Sequence, residues 1–198
     1  MLQLPKPLVL ASGSPRRKEL LEQVGLAFTI DVADVDENLE ADTPASLVEQ
    51  LSKKKALHVL KRHPEAIVLG ADTVVAYDNE ILGKPEDEED ALNMLSMLAG
   101  RDHQVFTGVT ICYMEEGQPV ADTFHVATQV SMYDTPRDLL MGYIATGEPM
   151  DKAGAYGIQG MGAILVREIS GDYNNVVGLP VSEVYRRLDG MVHHKGYM

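Results

Sequence analysis

Asp72 lies in the middle of a strongly apolar run, Ile67-Val-Leu-Gly-Ala-Asp-Thr-Val-Val75. An unpaired carboxylate in a core is costly, so this one is expected to be ion-paired, to bind a metal, or to stand at a strand end in a cleft. Gly70, two positions earlier, lets another group come close to the backbone. Asp72 is therefore the best candidate in the chain for a general base or a metal-held carboxylate; a structural capping aspartate is the ordinary alternative.

Cations form the second set. In Ala11-Ser-Gly-Ser-Pro-Arg-Arg-Lys18 a strand gives way to a helix, so Arg16, Arg17 and Lys18 fall in the helix's first turn. Each cation there opposes the helix dipole by ~0.3–1 kcal/mol. A bound phosphate would offset that crowding, held by free N–H groups, serine hydroxyls and guanidinium forks. The plainer reading is an exposed basic turn beside Glu19 and Glu22. On a helical wheel Leu47, Val48 and Val59 fall within ~80 degrees of Leu51, with Lys55 near the middle of that stripe. Lys55 then either snorkels from the core edge or points into a cleft toward an anion, while Lys53 faces solvent. Lys84 sits on a turn pinned by Gly83 and Pro85, a surface residue or a phosphate ligand.

Two weaker signals complete the set. Asp34-Val-Asp-Glu37, expected at a strand end, offers carboxylates for a hard cation, although acidic loop ends are common. Residues 148–160 read Glu-Pro-Met-Asp-Lys-Ala-Gly-Ala-Tyr-Gly-Ile-Gln-Gly, a glycine-rich stretch carrying Lys152, Tyr156 and Gln159. Its spacing fits neither a Walker A loop nor a dinucleotide fingerprint. The Gln159 amide both donates and accepts, which suits reading a base edge; an ordinary glycine-rich connection is the alternative.

The elements that must position these residues alternate between strand and helix patterns. Expected strands are Leu8 to Ala11, Phe28 to Val35, Ala66 to Ala76 with a return at Glu80 to Leu82, Gln104 to Tyr113, Val120 to Val130, and Ala163 to Ile169. Asp78-Asn79 is expected to make the hairpin turn, and Glu116 to Pro119 the turn of a long antiparallel pair. Helices are expected from Pro15, capped by Ser14 and ended by Gly25; from Pro44 to before Pro64; over Asp87 to Ala99; from Pro136 to about Ala145; and from Pro180 to Leu188. The tail from Met191 is expected to fray, with His193-His194 solvated. The pattern is α/β and two-lobed: a long, mixed, twisted sheet with flanking helices and a cleft between the lobes.

Composition narrows the class. The 198 residues include 17 basic and 30 acidic ones, a formal net charge of −13. That field disfavours coating a nucleic acid or an anionic membrane, so no nucleic-acid or membrane partner is expected. The apolar content, 45%, excludes wholesale disorder. A single cysteine, Cys112, lies in an apolar run and reads as core. No stretch approaches the ~20 apolar residues of a membrane span, so the expected location is the cytoplasm.

Taken together, these segments resemble the Maf family of nucleotide pyrophosphatases. The resemblance rests on Ala11 to Arg17, Glu37, Lys55-Ala56, Gly70 to Thr73, Gly83 to Pro85, Thr107 to Val109, Asp151 to Gly160, Gly171 to Tyr173 and Val177 to Pro180. It covers residues 8 to 180, and so implies one Maf/ITPase-like domain over residues 1–198 with a central nucleotide-binding cleft. It implies hydrolysis of the α–β phosphoanhydride of a nucleoside triphosphate with a divalent cation, Mg²⁺ or Mn²⁺. Asp72 would be the catalytic acceptor and, with Glu37, a metal ligand; Ser14, Arg17, Lys55, Lys84 and Lys152 would surround the phosphates. Arg16, Thr73 and Gln159 fall at positions that separate substrate branches and resemble the dTTP/UTP branch. A homodimer and a link to septum inhibition and division arrest are family-level expectations. A non-catalytic nucleotide sensor and a hydrolase of modified or methylated triphosphates are the alternatives. Chemically, a triphosphate with about four negative charges needs local cations in so acidic a chain, and Arg16, Arg17, Lys55, Lys84 and Lys152 supply them.

Overall fold

Three consecutive buried residues make β1 (Leu8–Leu10), as a strand covered on both faces requires. The computed structural model describes residues 2–78 and 80–193. After β1 come α1 (Pro15–Gln23), β2 (Thr29–Ile30), α2 (Pro44–Leu60), β3 (Ile67–Tyr77), β4 (Glu80–Leu82) and α3 (Glu88–Leu98). The second half holds β5 (Asp102–Glu115), β6 (Gln118–Met132), α4 (Arg137–Ile144), β7 (Val166–Ser170), α5 (Tyr173–Val177) and α6 (Val181–His193). The strands form a mixed seven-stranded sheet in the order β2-β1-β3-β5-β6-β7, with β4 on β3. No helix among the described residues is long and apolar enough to cross a membrane.

The chain divides into two compact units, the first made of Met1–Asp72, Thr107–His125 and Gly178–Met198, the second of Thr73–Phe106 and Val126–Val177. In the first unit β1 runs parallel to both neighbours, with Val9 opposite Thr29 of β2 and Val68 of β3. Val9, Val59, Val68 and Cys112 belong to its core. Burial pushes the Cys112 thiol up to about 12, as expected of a packing residue. α2 lies unusually close to the sheet. A Cβ on Gly70 would collide with the Ser52 carbonyl and sit 2.8 Å from the Ala56 side chain, and one on Gly108 would collide with the Val48 carbonyl. Two glycines thus let a helix backbone rest on β3 and β5.

In the second unit β4 pairs antiparallel with β3, with Tyr77 opposite Glu80, and β7 pairs antiparallel with β6. Leu95, Leu98, Met132, Leu140 and Leu165 lie at its core. Asp87 caps α3 through Asp90 N–H at 2.8 Å.

Several expectations need correction. The strand expected over 28–35 is only Thr29–Ile30. The residues that follow are held by side chains of α2 and its C-terminal turn instead of a ladder: Asp31 by Arg62 and His63, and the Asp36 carbonyl by Lys54. Ser14 occupies the cap position of α1 without a side-chain cap bond. Pro119 lies inside β6, because a two-residue turn, Glu116-Gly117 with both φ positive, already closes the hairpin. The glycine-rich stretch and the residues after it fold into three 3₁₀ turns, Glu148–Asp151, Ala153–Ala155 and Gly160–Ile164. α6 continues to His193, where an i,i+4 contact of 3.9 Å with Asp189 supports its last turn. α5 was not anticipated; Asp172 caps it, accepting Asn174 N–H at 2.7 Å. Asn79, His194 and the rest of the tail lie outside the described residues.

Candidate active site

In the first unit the Lys55 ammonium stands between two carboxylates. Nζ donates to Asp72 Oδ1 at 2.6 Å and lies 3.0 Å from Glu37 Oε1. Lys55 is 9% exposed and Asp72 8%, whereas the Glu37 side chain is 59% exposed. The cluster therefore has a buried end and a wet end. Lys55 reaches it because Gly70 lets α2 settle on β3, as the wheel predicts, and Lys53 is exposed. Asp72 takes the ion-paired option of the three expected; it stands within β3, not at a strand end. Glu37 belongs to an irregular segment, and the neighbouring Asp36 carbonyl accepts from Lys54 at 2.6 Å. Consecutive lysines of α2 thus hold backbone and carboxylate of that segment.

The turn into α1 faces the same carboxylates. Arg17 donates through Nε to the Gly178 carbonyl at 2.8 Å and through Nη1 to Ser12 Oγ at 3.0 Å. Burial lowers the Arg17 pKa, while the charges of Asp72 and Glu37 act in the opposite sense. The two bonds use two of its five donors and fix the guanidinium plane. Ser14 N–H reaches Ser12 Oγ at 3.3 Å, and Arg16 is half-buried. Lys18 pairs with Glu22 at 3.6 Å, so that cation follows the plainer surface reading.

The second unit carries the other candidates. Thr73 is half-buried on β3, next to Asp72 in sequence, and Lys84 is exposed after β4. Lys152 is engaged locally: Nζ donates to the Glu148 carbonyl at 2.6 Å and to Asp151 Oδ1 at 2.8 Å. Gln159 is exposed at the start of the third 3₁₀ turn and makes no cap bond. Tyr156 is buried; its hydroxyl lies 2.6 Å from His103 Nε2. Sequence reasoning missed Lys54, Tyr143 and Glu148, which act through contacts distant in the chain or through backbone groups, and it had Ser12 only as one of the serine hydroxyls before α1, not as the brace of Arg17. The acidic first residue of the Glu148-Pro149 turn was the only local signal.

This arrangement suits anion chemistry beside a carboxylate. Asp72 can accept a proton or share a hard cation with Glu37, and Lys55 and the α1 guanidinium groups can meet phosphate charge. Among the described residues no group of three or more His, Cys, Asp or Glu side chains comes together to hold a metal ion. Two convergent carboxylates are nevertheless the donor set by which Mg²⁺ binds when substrate phosphates supply further ligands, so the residues fit such an ion.

A family model described as "Maf-like protein" matches residues 7–191. A relative named dTTP/UTP pyrophosphatase from Agathobacter rectalis is 49% identical over 195 residues, covering 91% of this chain and 95% of the relative. Relatives with the same name from Symbiobacterium thermophilum and Bacillus cytotoxicus are 53% identical over 182 residues and 48% identical over 184. They cover 91% and 92% of this chain, and 92% and 94% of the relatives.

Proposed function

The chain belongs to the Maf family, and on that premise we infer that it is a pyrophosphatase hydrolysing dTTP and UTP to the monophosphate and pyrophosphate. The observation that carries the reading is the buried Lys55–Asp72 pair with Glu37 beside it, in a chain so similar to enzymes of that name. Asp72 is assigned the nucleophilic water: a carboxylate oxygen orients it and takes its proton as oxygen attacks the α-phosphorus and the pyrophosphate leaves. Lys55 keeps that carboxylate in one rotamer and neutralises phosphate charge as it grows. Arg17, braced by Ser12 and Gly178, and Ser14 are assigned to the phosphates, as are Lys84 and Lys152. For Lys152 this requires the ammonium to share or exchange its bond with Asp151. Arg16, Thr73 and Gln159 are assigned to substrate choice, and one domain over residues 1–198 is proposed.

Mg²⁺ or Mn²⁺, held by Asp72 and Glu37, would supply Lewis-acid polarisation of a phosphoryl oxygen. We further propose that it acts in the cytoplasm as a homodimer without nucleic-acid or membrane partners, with a role in septum inhibition.

Pyrophosphate release measured over dTTP, UTP, ATP, GTP and 7-methyl-GTP, with each metal, tests the reading. Preference for dTTP and UTP is expected. Faster hydrolysis of GTP or 7-methyl-GTP than of UTP would overturn the branch, and no release at all would leave the nucleotide-sensor reading in its place.

A further inference from the structure

We infer that Tyr143 and Glu148 form a clamp that sets the position of Gln159, which makes both of them positioning residues for base selection. The inference rests on the reading of Gln159 as a base-contacting residue. The segment 157–162 has no strand ladder of its own, and its backbone is instead held at both ends by one pair of side chains. At the near end Gly157 N–H donates to the Tyr143 hydroxyl at 3.2 Å. That hydroxyl donates in turn to Glu148 Oε1 at 3.0 Å. At the far end the same carboxylate accepts Met161 N–H through Oε2 at 2.9 Å and Gly162 N–H through Oε1 at 3.0 Å. Gln159 stands midway between the two anchors.

The packing leaves little room for another arrangement. A Cβ on Gly162 would collide with the Gly157 carbonyl and come within 2.7 Å of the Tyr143 hydroxyl, and one on Gly160 would come within 2.6 Å of Glu148 Oε2. The glycines therefore allow the chain to fold tightly around the clamp, with Gly160 at φ +65°. Lys152 closes the base of the segment by donating to the Glu148 carbonyl. Tyr143 itself is anchored in α4 and 2% exposed, so the clamp is tied to the core of the second unit. A carboxylate accepting three hydrogen bonds is a strong hub, since charge-assisted bonds exceed neutral ones. Fixing a side chain's backbone in this way reduces the ordering cost of each base contact it makes.

The test is a double-mutant cycle on the ratio of kcat/KM for UTP to that for GTP. Tyr143→Phe keeps the buried ring and deletes only the hydroxyl. It is expected to lower the ratio about fivefold, mainly by raising KM for UTP, and to lower it no further in a Gln159→Ala background. Glu148→Ala is expected to do the same more strongly, with Glu148→Gln partly restoring the ratio because one acceptor oxygen remains. Should Glu148→Ala fail to fold, Tyr143→Phe and Glu148→Gln carry the test. An unchanged ratio in the clamp variants, with a lowered ratio in Gln159→Ala, would overturn the clamp and leave the base reading standing. Equal losses on UTP and GTP, or losses additive with Gln159→Ala, would show a merely structural role and also overturn it. An unchanged ratio in Gln159→Ala itself would overturn the base reading and the clamp with it.

Discussion

The two units present their candidate residues in different ways. In the first, Arg17, Lys55 and Asp72 stand on α1, α2 and β3, and each is held by charge or by a long-range hydrogen bond. In the second, Lys84 follows β4, and Lys152 and Gln159 stand on turns held in part by hydrogen bonds between side chains and backbone. Regular elements fix a side chain to a fraction of an ångström, which proton transfer and phosphoryl charge demand. A turn segment is held as still only where other side chains brace it, as Tyr143 and Glu148 brace residues 157–162. The comparison teaches that the Lys55–Asp72 pair and Gln159 are supported by different kinds of structure, so substitutions at the two should fail separately.

The sharpest way to break that comparison is Asp72→Asn, which keeps the size of the side chain but removes the basic carboxylate. Pyrophosphate release should fall about a thousandfold on every substrate, with the UTP-to-GTP ratio unmoved. More than about a tenth of wild-type turnover would remove Asp72 from its role. Next in size is Lys55→Ala, expected to cost about a hundredfold in kcat/KM against almost nothing for Lys53→Ala. Removing one partner of a buried pair also destabilises, so a thermal melt belongs beside the kinetics. Equal effects of the two lysines would mean that Lys55 does not serve the site.

Smaller effects belong to the second unit. Gln159→Ala should shift the UTP-to-GTP ratio about tenfold while leaving turnover on the poorer substrate nearly constant. Uniform inactivation would place Gln159 with the chemistry and erase the distinction. The smallest expected effect is on acid stability. Burial lowers the His103 pKa from 6.5 to about 4, and its Nδ1 has no hydrogen-bond partner among the described residues. The unfolded chain then binds the extra proton between those values, so stability is full above pH 6.5 and is lost as pH falls toward 4. The slope should reach at most ~1.4 kcal/mol per pH unit and flatten in His103→Gln, as read from denaturant midpoints across that range. Identical pH slopes for the two proteins would show that His103 is not protonated on unfolding.

How far each region was legible follows the same division. Lys55 was readable from a wheel because a helix repeats every 3.6 residues, and a cation on an apolar stripe breaks the pattern visibly. Asp72 was readable because a carboxylate in an apolar strand needs a partner, although the strand's centre, not its end, proved to be the place. The clamp was not readable. Tyr143 and Glu148 are ordinary residues of a helix and a turn, and their partners are backbone N–H groups up to 14 positions away. The strand expected over 28–35 failed for a related reason: side chains of α2 and its following turn, distant in sequence, took up the bonds.

What the sequence alone determined, then, is whatever local periodicity and the cost of burying charge can settle: the mixed α/β class, most helices, and the identities of the charged candidates. Tertiary structure decided the partner of each charge whose contact is distant in sequence. Only the approach of α2 to Gly70 and Gly108 brings Lys55 to Asp72 and Glu37, and only the fold of residues 143–162 turns a glycine-rich stretch into a braced segment. Hydrogen bonds and ion pairs act over about 3 Å of space, whatever the separation along the chain, so local pattern finds near partners such as Glu22 for Lys18 but not the distant ones.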